Sequence, residues 1–413
     1  MALSQNTGLL TSTKITKEAL YQLTNNCLIA SKCDWKYSEQ FANGASQIGD
    51  KIFIRRPILP TITRGSMVWT ANLPTENSVA LAIDENFLAP LSFSDVDKTL
   101  RIENFSKRFI TPAVIGMASQ IDSYVYGKVM DSVANSVGQY NVSITSDTIL
   151  EANEMLTSYG CPDDDDRWGI LTPKQNRSLA NVQATLFNAQ KEVSDIYRKG
   201  RIGYFAGIDF AVSNSSPVHT DGTWAGSPTI SGGSTTAVLT SGWAETATLS
   251  VGGFSTGATI NVGDVFAISG TYAYNPLTRA QLPFLQQFVV LTAVGAATSA
   301  AQSLVVSPAL ISEGEYKNVA IEISGTTNLI KYSTSGTTGR EGIIFHREAI
   351  AIASPKLHVP KTGFESDSMK DEDTNMNIRY MDGWDGVNSR SITRLDTILG
   401  VKVLRPEHVC RLR

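Results

Sequence analysis

The pattern most suggestive of catalysis is Gly253-Phe254-Ser255-Thr256-Gly257, which fits the G-x-S-x-G motif of serine hydrolases. In those enzymes the serine lies on a sharp turn between a strand and a helix. Here the next residues, ATINVGDVFAI, alternate like a strand, and the surrounding segment is rich in Gly, Ser and Thr. The pattern therefore indicates a chance match, and a serine hydrolase stays open only as the least favoured alternative.

Acidic and histidine residues show no regular metal-binding spacing. Asp163 to Asp166 are consecutive, whereas calcium loops alternate their acids and add a fixed glycine, so these four residues indicate a solvated turn. Asp382 and Asp385, in DGWDG, also miss the calcium spacing and are expected to serve a turn. The histidines are isolated, with no pair at i, i+4 that would indicate a helical zinc site: His219, His346, His358 and His408. We expect no catalytic residues, no metal and no cofactor.

The cysteine spacing and the charge distribution argue against a zinc-binding protein and against a protein that binds nucleic acid tightly. The cysteines fit no zinc pattern of close pairs, which predicts reduced, buried thiols: Cys27, Cys33, Cys161 and Cys410. Lys+Arg 35 and Asp+Glu 39 give a net charge of -4, without the clustered basic face of a nucleic-acid binder. No signal peptide and no run of about 18 apolar residues occurs. We expect a protein made in a cytosol, without a membrane span, and any contact with DNA would have to be loose.

Three segments have the apolar spacing of amphipathic helices: residues 14–32, 112–136 and 146–159. Thr13 is the expected cap of the first helix, and Ser146 or Asp147 that of the third. Two predicted strands, in KIFIRRPIL and SVALAIDENF, are joined by a long irregular segment. This predicts an extended β-hairpin arm with a role outside its own core, because long structureless tips are uncommon in compact domains.

The composition changes sharply at about Pro217. Residues 217–340 contain 15 of the 32 glycines but only four of the 35 Lys+Arg residues. Short β-rich runs separated by turn residues predict a small antiparallel β-barrel or sandwich. A strand-like segment of the earlier composition resumes afterwards, at GIIFHREAIAIAS. The sequence therefore predicts one β domain inserted into an α+β host.

Four stretches together resemble one family, the major coat proteins of short-tailed phages like P-twenty-two, which adopt the Hong Kong ninety-seven capsid fold. They are ITKEALYQLTNNCLIASKCDWKYSEQF with IGDKIFIRRP, LSFSDVDKTLRIENFSKRFITPAVIGMASQID, GDVFAISGTYAYNPLTRAQLPFLQQFVV, and RSITRLDTILGVKVLRPEHVCR. Their order and spacing match the family over nearly the whole chain. The resemblance implies an α+β tailed-phage capsid fold with an inserted antiparallel β-barrel. It implies a major capsid protein, not an enzyme, that self-assembles into an icosahedral shell enclosing double-stranded DNA.

The resemblance also assigns a role to each segment. Residues 1–50 would be the N-terminal arm and 51–94 the extended loop that lies over a neighbouring subunit. Three further domains follow: a peripheral domain with a spine helix (95–160 and 375–413), an axial domain (161–216 and 341–374) and the inserted β domain (217–340). The insertion would stabilise the monomer or touch neighbouring subunits; a host-facing or sugar-binding module is the open alternative.

The implied partners are copies of the same chain, in pentamers and hexamers, together with a portal protein, weakly contacted DNA and, as an option, a decoration protein. The first helix begins near residue 13, so a separate scaffolding protein is expected. No lysine occurs between Lys51 and Lys98, so a lysine crosslink at the loop tip is not expected. Candidate inter-subunit contacts are Arg64, Met67 and Trp69, although Trp69 packing against the base of its own loop stays open. The virion is the expected location, after assembly in the host cytoplasm; a tail or receptor-binding protein is the runner-up.

Overall fold

The computed structural model describes residues 12–38, 51–57, 76–94, 109–184, 203–230, 238–239, 242–295, 297–321, 327–360, 365–372, 374–386 and 390–413. Within these ranges the chain forms four α-helices: α1 (Ser12–Asn26), α2 (Thr111–Ser132), α3 (Ser146–Ser158) and α4 (Pro173–Ala184). None of these helices combines the length and the apolar character needed to cross a membrane.

The strands of the same ranges are β1 (Lys51–Arg55), β2 (Ser78–Ala82), β3 (Glu85–Ser94), β4 (Ser136–Val137), β5 (Arg167–Leu171), β6 (Tyr204–Phe205), β7 (Ile208–Val212), β8 (Val218–Thr220), β9 (Thr229–Ile230), β10 (Val238–Leu239), β11 (Ala247–Gly252), β12 (Val265–Tyr274), β13 (Gln281–Val290), β14 (Gln302–Ser307), β15 (Leu310–Ile311), β16 (Val319–Ile321), β17 (Leu329–Lys331), β18 (Thr338–Arg340), β19 (Gly342–His346), β20 (Ile350–Ala353), β21 (Glu365–Lys370), β22 (Asn377–Asp385), β23 (Arg390–Val403) and β24 (Val409–Leu412).

The predicted helices are present, but their ends differ from the expectation. Helix α1 stops at Asn26, and a short 3-10 helix at Ala30–Lys32 follows instead of a continuous helix to residue 32. Thr13 lies inside α1, so its prediction as the cap is wrong. Helix α2 stops at Ser132 because residues 136–137 pair with β24.

The cap of α3 also differs from the prediction. Thr145, not Ser146 or Asp147, occupies the cap position, and its hydroxyl accepts a hydrogen bond from the Thr148 amide at 3.3 Å. The Thr148 hydroxyl accepts from the Thr145 amide in return, at 3.4 Å. This reciprocal pair is a capping box, and it satisfies two amides at a helix start that would otherwise lack partners.

The chain divides into two compact units, and the first comprises residues 1–53, 80–125 and 351–402. Its sheet runs β20-β23-β22-β21, with β3 paired to β23. The β3–β23 ladder is antiparallel over ten residue pairs, from Glu85↔Leu399 to Ser94↔Arg390. Helix α1 packs on β21 and β22 and buries Ile15, Ala19, Leu20 and Leu23. Their i, i+4 and i, i+3 spacing is the apolar stripe that the sequence predicted.

Asp382 and Asp385 lie in a strand, not in the expected turn. Both residues belong to β22, where Asp382 pairs with Thr393 of β23 and Asp385 with Arg390. The Thr393 hydroxyl donates to the Asp382 carboxylate at 3.2 Å. The prediction that they serve a turn is wrong, because cross-strand pairing extends through the whole DGWD segment.

The second unit comprises residues 54–79, 126–350 and 403–413. Its six-stranded sheet has the order β4-β24-β19-β5-β7-β6. Strand β19 runs antiparallel to β24 and β5, whereas β5 and β7 are parallel. Residues of α3 and α4 form one apolar cluster with this sheet: Ile149, Ala152, Leu156, Leu171, Leu179, Ile344, Cys410 and Leu412. All four cysteines of the chain are free and buried, as the sequence predicted.

The described residues between 217 and 340 form strands β8 to β18, and the first and last of these strands pair. Strand β8 is antiparallel to β18, so the chain leaves the host and returns to it at the same place. Inside the insertion, β12, β13, β14, β11 and β9 are neighbours in that order, and β17 pairs with β12. Two hydrogen bonds join β9 to the start of β17, from Ile230 N to Thr327 O at 3.0 Å and from Leu329 N to Pro228 O at 2.8 Å. They close a ring of six strands around a core that includes Trp224, Phe254, Phe266 and Phe288.

Candidate assembly surfaces and a buried charge cluster

The three predicted inter-subunit contacts, Arg64, Met67 and Trp69, lie outside the described residues, so their role stays a prediction. The base of their loop is described. Strands β1 and β2 pair, and Arg55 forms an ion pair with Glu76 at 2.9 Å. Both side chains are exposed, so this pair contributes little to stability. The strand pairing confirms the predicted hairpin at its base.

Arg56, near the start of the loop, is held by contacts within the second unit. Its guanidinium pairs with the Glu407 carboxylate at 2.8 Å and lies 5.2 Å from the ring centre of Trp243, a residue of the insertion. The Arg56 side chain is only 19% exposed. The two adjacent arginines therefore differ, because Arg55 is exposed whereas Arg56 is anchored.

Large apolar side chains are exposed on the first unit. Leu88 of β3 and Ile392 of β23 are each 48% exposed, and Phe53 of β1 is 67% exposed. Leu88 lies opposite Asp396 and Ile392 opposite Ser92 in the same ladder. Because side chains alternate between the two faces of a strand, Leu88 and Ile392 share one face. Leu88 and Ile392 lie four positions apart along the ladder, so they are separate exposed apolar side chains, which are common on protein surfaces.

A buried carboxylate, Glu341, organises the charges at the C-terminal strand. Arg411 contacts it with two nitrogens, at 2.5 Å and 2.8 Å, and Arg413 lies at 3.0 Å. The Tyr140 hydroxyl donates to the same carboxylate. Burial by itself would raise the pKa of Glu341, but Arg411 and Arg413 outweigh it and hold this pKa at about 2. The group is therefore a permanent buried anion between two buried cations.

The cluster connects the end of α2, the C-terminal strand and the β insertion. Arg411 donates to the carbonyl oxygens of Met130 and Val133, at 2.9 and 3.2 Å, and to that of Gly263 at 2.9 Å. Arg413 donates to the Gly263 carbonyl at 3.2 Å. Since Gly263 belongs to the insertion, these bonds position the inserted domain on its host sheet.

Three residues of the insertion form a smaller polar group beside this cluster. The ligand atoms of His219, Asp221 and Asp264 lie within 4.8 Å of one another, and the His219 Nε2 is 3.4 Å from a carboxylate oxygen of each aspartate. Burial would lower the pKa of His219, but the two carboxylates raise it above its ordinary value. The expectation that His219 is isolated is wrong, because folding brings Asp264 to it from 45 positions away.

Two cationic side chains of the protein, Arg413 and Lys331, lie next to the carboxylates of this group. The Arg413 guanidinium lies 3.4 Å from Asp221, and Lys331 donates to the Gly222 carbonyl at 2.5 Å, next to the same aspartates. A histidine with two carboxylates suits a divalent transition metal chemically. Because Arg413 and Lys331 lie next to Asp221 and Asp264, these side chains and His219 form an internal ion-pair network. This network holds the start of the insertion, at strand β8.

The G-x-S-x-G motif does not form a nucleophile elbow. Gly253 and Gly257 have positive φ angles of 82° and 81°, and the Ser255 carbonyl accepts from the Ala258 amide at 3.1 Å. Phe254 is buried against Trp224, with ring centres 6.0 Å apart. A bridge residue, Ile260, and strand β12 follow instead of a helix. The segment is a turn of the inserted barrel.

Sequence reasoning missed Glu341, Arg411 and Arg413. A signal for them exists, because Glu341 precedes the apolar run GIIF and Arg411 interrupts the apolar strand VCRL. A charge within an apolar strand needs a buried partner. Its partner is 70 positions away, and only the β19–β24 pairing brings the two together.

The α+β host, the paired strands at the base of the hairpin and the β strands inserted between β8 and β18 agree with the tailed-phage capsid fold that the sequence resemblance implied. The chain belongs to the P22 coat protein family: the family model described as "P22 coat protein - gene protein 5" matches residues 1–411. The protein is accordingly a major capsid protein that builds the shell of a phage virion. A search of curated protein sequences found no match.

Solved structures of phage particles include chains similar to this one. One is titled "Mycobacterium phage Che8", with 12% identity and a TM-score of 0.47, covering 94% of this chain and 91% of that chain. Another is the capsid of Ralstonia phage GP4, with 8% identity and a TM-score of 0.42, covering 88% and 83%. Family membership rests on the match over residues 1–411.

Proposed function

We propose that this capsid protein assembles in the host cytoplasm, on a separate scaffolding protein, into pentamers and hexamers of one icosahedral shell that encloses double-stranded DNA. A portal protein would complete the shell, and a decoration protein is an optional partner. The observation that carries the proposal is the coat-protein family match over residues 1–411. The net charge of -4 supports loose contact with the genome, since tight binding of phosphates requires a basic surface.

The extended loop 51–94 is proposed to lie over a neighbouring subunit. Its base supports this role, because paired strands β1 and β2 and the anchored Arg56 hold the start of the loop firmly. Arg64, Met67 and Trp69 are the proposed contacts in its central part. Such an arm adds interface area that one compact domain lacks, and many arms engaged at once stabilise a shell through effective concentration.

The remaining segments receive the roles that the family resemblance implies. Residues 1–50 are proposed as the N-terminal arm, 95–160 with 375–413 as the peripheral domain, and 161–216 with 341–374 as the axial domain. Residues 217–340 are the inserted domain, and its attachment through Gly263 supports a role in stabilising the subunit. No enzymatic role is proposed for any segment.

The test is expression of the chain with and without a cognate scaffolding protein, followed by negative-stain electron microscopy of sedimented particles. We expect closed shells of uniform size only with the scaffolding protein. A triple variant R64A/M67A/W69A is expected to lower the shell yield at least tenfold, whereas T61A/T63A in the same loop serves as the matched control. Trimers or monomers under both conditions would instead favour a tail or receptor-binding protein.

A further inference from the structure

The six-stranded sheet of the second unit carries opposite charges at its two ends. Strand β5 begins directly after the acidic turn at residues 163–166 and ends directly before the basic first turn of α4. Its five residues span about 17 Å at about 3.3 Å per residue. The neighbouring strand β19 is antiparallel, with His346 opposite Arg167 at the acidic end and Arg340 beyond its start at the other end. Two opposite charges are thus held apart by a rigid strand.

The basic end contains a cavity of about 360 Å³. Three exposed cations line it, Lys174, Arg177 and Arg340, and no acidic side chain does. Lys174 donates to the neutral amide oxygen of Asn141 at 3.1 Å, and Arg340 donates to that of Asn214 at 2.9 Å. Within the described part of the chain, no carboxylate lies within ion-pair distance of these three cations, so the cavity keeps a net positive charge.

Arg413 also lines this cavity, but its positive charge is balanced by buried carboxylates. Its guanidinium is fully buried and pairs with Glu341 at 3.0 Å and with Asp221 at 3.4 Å. The unmatched positive charge of the cavity therefore comes from the three exposed side chains. Their chemistry suits an anion that offers several oxygen atoms, such as a group of carboxylates.

The acidic end presents such a group in a fixed shape. Asp163 is 73% exposed and Asp164 is 51% exposed. Asp164 accepts from His346 at 3.0 Å, and Asp165 accepts from the Tyr204 hydroxyl at 3.0 Å. These bonds define the conformation of the turn while the carboxylates stay accessible to solvent. The buried Arg167 guanidinium lies 3.8 Å from the Asp163 carboxylate, and exposed Arg347 is followed by exposed Glu348.

We propose that the acidic turn of one copy binds in the basic cavity of the next copy around a ring of the shell. The inference rests on the proposed function and specifies one of its contacts. A single chain cannot make this contact with itself, because β5 separates the two surfaces. A contact between two different surfaces of identical chains is heterologous, and heterologous contacts generate closed rings when the rotation permits. Pairing of complementary charges also selects the register between copies.

Charge reversal tests the contact in the full chain, co-expressed with its scaffolding protein. K174E/R177E and D163K/D165K are each expected to lower the yield of sedimented shells at least tenfold, while both reversals combined in one chain restore at least a third of it. K356E reverses an exposed cation outside the cavity and is the matched control. Urea midpoints equal to that of the wild type show that the variants fold. If K174E/R177E gave a normal shell yield, the proposed contact would be refuted but the proposed function would stand. If the wild-type chain formed no shells, the proposed function itself would be refuted.

A disulfide assay reports the same contact directly. Chains carrying D163C or R177C are expressed separately and mixed during assembly; the four native cysteines are buried and do not interfere. We expect oxidation to link the two variants in mixed shells, with no linked dimers when either is assembled alone. If K174E/R177E shells form normally but retain less DNA, and the mixed shells show no crosslink, the cavity binds nucleic-acid phosphate and the proposal fails.

Discussion

Replacing Glu341 by glutamine should leave two buried arginines without their shared counterion. In the folded protein the pKa of Glu341 is about 2, against an ordinary value of 4.5. At about 1.4 kcal/mol per pKa unit, this difference corresponds to about 3 kcal/mol of stability at neutral pH. The value agrees with the cost of about 3–5 kcal/mol for removing one partner of a buried ion pair.

The sign of the pH dependence follows from the same comparison. Because the folded-state pKa lies below the unfolded one, the contribution of Glu341 is fully present above pH 4.5 and is lost as the pH falls through about 2. The stability difference between wild type and E341Q should therefore shrink by about 2 kcal/mol between pH 5 and pH 3. A variant without the carboxyl group lacks this part of the acid sensitivity.

Urea denaturation of the unassembled chain at several pH values measures both effects. E313Q, which changes an exposed glutamate of the same unit, is the matched control and should stay within about 0.5 kcal/mol of the wild type. The reasoning would be refuted if E341Q were as stable as E313Q at pH 7. Parallel pH profiles for E341Q and wild type would refute it as well.

Three further substitutions test separate parts of the fold. F288A should cost about 3–5 kcal/mol in urea denaturation, because this side chain is fully buried in the inserted barrel; a loss below about 1 kcal/mol would contradict that packing. D122A removes the carboxylate that accepts the amides of residues 28–30 at 2.8–3.2 Å, so hydrogen exchange there should accelerate at least tenfold, and unchanged protection would count against this anchor. G400A places a Cβ 2.1 Å from the Ala82 carbonyl oxygen, which should leave the chain largely insoluble; a soluble variant with wild-type stability would show that this approach is looser than described.

Local sequence patterns were sufficient to predict most of the helices and the position of the inserted β segment. The apolar spacing in residues 14–32 and 112–136 located α1 and α2, and the loss of Lys and Arg after Pro217 marked the inserted domain. The end of α1 could not be read from periodicity, because the amides of residues 28–30 donate to Asp122, a residue more than ninety positions later. Pairing with the adjacent strand β23 placed the DGWD residues in β22 instead of a turn.

The sequence by itself determined the family, through the order of four stretches that resemble it, and it determined the α+β host, the β insertion and the paired base of the hairpin through composition and short-range periodicity. Only the tertiary structure decided which charges meet: Glu341 with Arg411 and Arg413, and His219 with Asp264. It also decided that Lys174, Arg177 and Arg340 surround one cavity. The physical reason is that electrostatic interactions depend on distance through space and on burial, and strand pairing sets both between residues far apart in the chain.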